Sequence, residues 1–161
     1  MATKRELRMG LREGTGKGKE YSVSPNAYFH RRGGHFVFMH LGLASLCGTA
    51  NNTKIAGWLE SPKDTAGKDS WKSAAGDKAF VVYCADNVFC MPVDETIASV
   101  SATTWIGRGS GLDETGATHA MIQRAKLGVK GTIASPLSIV DVDVTNKLVY
   151  VKVKPAKIQA I

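Results

Sequence analysis

From Tyr21 onward the chain is a succession of short apolar runs separated by Gly, Asn-Asn, Ser-Pro and Asp-Asn clusters, the punctuation of short strands joined by turns. The clearest unit is SIVDVDVTNKLVYVKVK. A two-residue turn at Asn146 and Lys147 would pair Val144 with Val149, Val142 with Val151 and Val140 with Val153, setting six valines on one face. Asp141 would then face Lys152 on the other. A second hairpin is predicted in DKAFVVYCADNVFCMPV, turning at Asp86 and Asn87 and closed by Pro92. Further strands are expected at residues 35–40 and 55–59. SPKDTAGKDSWKS reads as a long polar surface loop carrying Trp71. ATHAMIQRAKLG, residues 117–128, fits a helix face ending at a glycine cap and fits a strand equally. Thr3 and Glu6 have capping-box spacing and Leu7 sits four residues before Leu11, so one short helix is expected there when docked on a partner.

The pattern predicts a mainly β chain: a small β-barrel or β-sandwich over residues 21–161, one domain without internal repeat, preceded by an extended basic arm over residues 1–20. At 161 residues such a domain buries about 70% of its unfolded surface and needs no disulfide or metal staple. No apolar run approaches the ~20 residues of a membrane span. The charged N-terminus lacks the apolar segment of a signal peptide, so the chain is expected to stay where it is made. Cys47, Cys84 and Cys90 form no CxxC pair and are expected as reduced, buried thiols. Cys84 and Cys90 flank the second turn, but there the direct partners would be Cys84 with Phe89 and Tyr83 with Cys90, which disfavours a disulfide.

Charge changes this picture at one end. The formal charge is +7, and residues 1–35 carry eight Lys or Arg against three Glu. A basic arm of this kind reaches toward an acidic partner, nucleic acid or protein. Within it, REGTGKGKEYS has the glycines and lysines of a phosphate loop but not the setting. A charged run precedes it, no helix follows, and Gly18-Lys19 is followed by Glu20 where a Walker loop has Ser or Thr. It reads as a flexible basic linker. Binding of single-stranded nucleic acid usually adds stacking aromatics, and the arm has none before Tyr21. Nucleic-acid binding through the arm therefore stands as the alternative reading.

His30, His35 and His40 recur every five residues, a spacing that sets neighbours on opposite faces of a strand, so no metal site is expected. GxSxG and HExxH motifs are absent, and neither Asp94-Glu95 nor Asp113-Glu114 sits in an acid–base signature. No catalytic residue, cofactor or enzymatic activity is expected. Trp58, Trp71 and Trp105 are candidate anchors, in the core or at a protein interface.

TKIAGWLE, KSAAGDKAFVVYCADNVFCMPVDE, WIGRG and SIVDVDVTNKLVYVKVKP, in this order and with glycine-rich connections, give the body a resemblance to the head decoration, or cement, proteins of tailed bacteriophages. The resemblance implies a β-barrel or sandwich on the outer surface of a virion, made in the host cytoplasm. It also implies a homodimer or homotrimer bound to the HK97-fold major capsid protein and bridging neighbouring capsomers. Lys4, Arg5, Arg8, Arg12, Lys17 and Lys19 are then expected to tether the arm to the shell.

Overall fold

Short runs rich in β-branched and aromatic residues, some alternating with polar ones, select extended backbone along much of the chain. The computed structural model describes residues 9–30, 34–47, 54–61, 70–93, 105–115, 122–127 and 135–161. Its strands are β1 (Gly10–Glu13), β2 (Gly18–Ser22), β3 (Tyr28–His30), β4 (His35–His40), β5 (Leu43–Leu46), β6 (Gly57–Leu59) and β7 (Ser70–Lys72). They continue with β8 (Lys78–Tyr83), β9 (Val88–Pro92), β10 (Gly109–Thr115), β11 (Ile122–Leu127), β12 (Leu137–Asp143) and β13 (Leu148–Val153), before a 3-10 turn at Pro155–Lys157. The fold is mainly β. Six strands form one sheet in the order β1-β9-β13-β12-β10-β11, five form another in the order β2-β8-β6-β4-β5, and β3 pairs with β7. Neither large sheet closes into a barrel. Each is drawn together at one corner by a single parallel bridge, Val23 to Ala44 and Val93 to Ala125.

Those two bridges mark a repeat that the sequence pattern had not revealed. Strands β2, β4, β5, β6 and β8 are ordered first-fifth-fourth-second-third, and β9, β10, β11, β12 and β13 have the same order. The registers coincide as well. Lys19 opposite Val81 recurs as Phe89 opposite Val151, and Glu20 opposite Phe80 as Cys90 opposite Tyr150. Leu59 opposite Val81 recurs as Ile139 opposite Val151, Phe36 opposite Trp58 as Gly109 opposite Ser138, and Val37 opposite Leu46 as Ser110 opposite Leu127. The body is one unit built twice.

The two units share a core and are not independent domains. Phe36, Trp58 and Val82 of the first unit enter the same cluster as Phe89, Met91, Ile139, Val149 and Val151 of the second. Phe36 meets Trp58 and Phe89 edge-on at 4.8 and 5.2 Å between ring centroids, and Trp58 stacks on Phe89 at 6.0 Å. At the positions matching Phe36, Trp58 and Val82 the second unit has Gly109, Ser138 and Lys152, and no described sheet packs on that face. A separate cluster, with Phe29, Val37, Leu59 and Val81, fills the first unit.

The C-terminal hairpin is present in a different register. Its loop spans four residues: Asp143 Oδ1 accepts the N–H of Asn146 at 3.0 Å, Oδ2 accepts Asn146 Nδ2–H at 2.8 Å, and Lys147 takes φ 55°. Val142 therefore faces Val149 and Asp141 faces Tyr150. A bulge at Val140 then turns that residue outward and brings Ile139 and Leu137 opposite Val151 and Val153, while Lys152 faces Ser138. The second predicted hairpin is not a hairpin. A turn is present one residue earlier, centred on Ala85 and Asp86 with the Asn87 N–H directed to the Cys84 carbonyl, but β8 and β9 belong to different sheets, so the chain arches across the core instead of folding back beside itself. Strand β4 has its expected bounds; the strand expected at residues 55–59 is regular only over Gly57–Leu59, with Ile55 in an isolated bridge. Trp71 sits in β7 rather than in a loop, and the ambiguous segment is strand over Ile122–Leu127.

The extended arm needs correction as well. Residues 1–8, including the expected helix start, lie outside the described residues. From Gly10 the backbone is paired, β1 with β9 and β2 with β8, because both sheets have an edge there that takes up its hydrogen bonds. Gly14–Lys17 is a second arch, running beside the β8–β9 arch and tied to it where Asn87 Oδ1 accepts the N–H of Gly16 at 3.2 Å. A Cβ on Gly14 would lie 2.1 Å from that oxygen and 2.4 Å from the carbonyl of Asp86. Gly14 permits this close approach.

Candidate interaction surface

The N-terminal strands form the rim of the body. Strand β1 is one edge strand of the six-stranded sheet and β2 one edge strand of the five-stranded sheet. Arg12, Lys17 and Lys19 are all exposed there; Lys4, Arg5 and Arg8 lie outside the described residues. Lys19 Nζ stands 6.0 Å from the centre of the Tyr21 ring, and the Arg12 guanidinium 5.6 Å from that of Tyr150.

Arg12 opens onto a surface pocket of about 450 Å³ lined by Arg12, Glu13, Val88, Val140, Asp141, Tyr150 and Lys152. Its floor is the outer face of β9, β13 and β12, where the bulge has turned Val140 outward. Burial raises the Tyr150 phenol above its ordinary value, and the Arg12 charge acts the other way. With two cations, two carboxylates and a phenol, the pocket suits a polar surface of mixed charge. The outward positions of an alternating strand signal such a face, but the expected register had set Asp141 against Lys152 and left Tyr150 out.

The other sequence candidates do not converge. Trp58 and Trp105 are fully buried in the shared core, so they brace the fold and are not surface anchors. Trp71 is partly buried, tilted against Phe29 at 5.5 Å between centroids. His35 is buried with its ring 5.8 Å from that of Phe29, and His40 is exposed at the end of the same strand. Among the described residues no group of three His, Cys, Asp or Glu could hold a metal ion. The three cysteines are buried, reduced thiols. Burial pushes the Cys84 thiol up to about 12 and the Cys90 thiol up to about 11, so neither is a ready thiolate near neutral pH. No described helix is long and apolar enough to cross a membrane.

No family model, curated protein or solved structure matches the chain.

Proposed function

We propose that this chain is a decoration, or cement, protein of a tailed-bacteriophage head, a β-sandwich-like body held to the outer surface of the shell by its basic N-terminal segment. The observation that carries the reading is the position of that segment. It runs along the rim as an edge strand of each sheet, with Arg12, Lys17 and Lys19 exposed and Lys4, Arg5 and Arg8 just upstream in sequence. Sequence resemblance supplies the partner, the major capsid protein. The work is mechanical: a body that bridges capsomers adds contacts that must break before the shell can open. Binding as a homodimer or homotrimer multiplies those contacts, and many copies give avidity where a single interface is modest.

Co-sedimentation with empty and DNA-filled shells of the matching phage, with free DNA as control, tests the reading. Saturable binding to both kinds of shell and none to DNA is expected. Removing residues 1–8, which leaves β1 and β2 in place, should weaken shell binding without unfolding the body. Binding to DNA alone would overturn the proposal.

A further inference from the structure

Because the two units match pair for pair, an edge occupied in one and open in the other identifies a vacancy. In the second unit the outer edge of β9 is covered by β1, with Gly10 opposite Cys90 and Leu11 opposite Phe89. The equivalent edge of the first unit is that of β2 at Gly18, Lys19 and Glu20. No described strand pairs with it, since β2 ends its sheet. Tyr83 donates its N–H to the Lys17 carbonyl and Val23 donates to that of Asp77, so Lys17, Lys19 and Tyr21 turn their backbone groups toward β8. Gly18 and Glu20 turn theirs outward.

Side chains around the vacancy are matched too. Tyr150, beneath the Arg12 guanidinium, has Phe80 as its counterpart, and Phe80 is 38% exposed. Glu20, opposite Phe80, stands where the second unit has Cys90. An aromatic face beside a carboxylate favours a cation.

We propose that the outer edge of β2 receives an extended segment of a partner polypeptide, antiparallel to it, with a basic residue opposite Glu20, an acidic residue opposite Lys19 and a cationic side chain over Phe80. The chain contains its own precedent, since Gly10–Glu13 fills the matching edge of β9 in this way with Arg12 over the ring. Backbone bonds along an edge supply affinity, and the alternating side chains supply choice of partner. A second copy of β2 is a poor occupant. Registers centred on Lys19 or Glu20 would set Lys19 against Lys19 or Glu20 against Glu20, and like charges directly opposite are destabilising. The proposal is independent of the larger assembly the chain serves.

The test uses the isotope-labelled full chain and two synthetic peptides: one with the sequence of residues 8–15, the other the same with lysine at the position of Gly10 and glutamate at that of Leu11. Titration should shift the amide signals of Gly18, Lys19 and Glu20 saturably. The charged peptide should bind the more tightly, and Glu20→Lys should weaken it roughly threefold or more while leaving distant signals unchanged. Absence of a saturable shift at these amides with millimolar peptide, or undiminished binding by Glu20→Lys, would overturn the proposal.

Discussion

Gln123 joins the two units through Phe36. The amide of this buried side chain on β11 accepts the Phe36 N–H at 2.8 Å through Oε1 and donates from Nε2 to the carbonyl of Cys47 at 3.2 Å. It thereby satisfies backbone groups of β4 and the end of β5 that face the shared core. Replacing it with leucine, similar in bulk but unable to bond, leaves them without that partner. Gln123→Leu should cost about 1–3 kcal/mol in urea unfolding, with both units melting together.

The glycines of the N-terminal arch should differ sharply in tolerance from glycines of open turns. Gly14 has φ +122° and its missing Cβ would collide with Asn87 and Asp86, whereas a Cβ on Gly42, with φ +80°, meets nothing within 4 Å. Gly14→Ala should therefore destabilise by at least about 2–3 kcal/mol and Gly42→Ala by about 1–2 kcal/mol. Thermal melts of the two variants give the ranking directly.

Alkaline pH should unfold the chain through its thiols. The folded state holds Cys90 up to about 11 and Cys84 up to about 12, from an ordinary value of 9.0. Above pH 9 the unfolded chain sheds thiol protons that the folded chain keeps. The stability from neutral, buried thiols is thus fully present below pH 9 and is lost as pH rises through 9 to 12. A Cys84→Ala, Cys90→Ala double variant should show a flatter decline in melting temperature across that range.

At the other end of the scale, Asp143 should make the C-terminal hairpin acid-sensitive. Hydrogen bonds from the Asn146 side chain and backbone hold its carboxyl below the ordinary value of 3.8. Its contribution is present above about pH 4 and falls away as the pH drops through the lowered value. Asp143→Ala should cost about 0.5–1.5 kcal/mol, a modest effect because the bonds are exposed, and should abolish that acid dependence. Hydrogen exchange at the Asn146 amide reports the loss.

Local chemistry was legible where local chemistry decides. A short apolar run marked β4, alternation marked the C-terminal hairpin, and the Asp-Asn pair marked a turn to within one residue. The path of the chain beyond a turn depends on distant partners. A hairpin and an arch use the same turn residues, and only the shared core into which Phe89 and Met91 fit sends β9 to the other sheet. Register failed at Asp143, whose bonds to Asn146 lengthen the loop. The repeat was hidden because matched positions carry different burdens: Trp58 is buried in the core shared with the second unit, while its counterpart Ser138 lies outside that core. Among matched strand residues a few apolar identities persist, such as Ala44 with Ala125, Leu46 with Leu127 and Val81 with Val151. The edge at Glu20, with which no described strand pairs, stands out only when the two units are compared.

Strand β1 finds its ladder partner 80 residues further along, Gly10 against Cys90, although the arch delivers its neighbour β2 to the first unit. On the ribosome, β1 is therefore made well before the strand on which it docks. Until β9 emerges, β1 lacks the edge that it joins in the folded chain. Closure of β1 over β9 then reports that synthesis has passed the junction of the two units, so that the beginning of the chain is fixed by its middle.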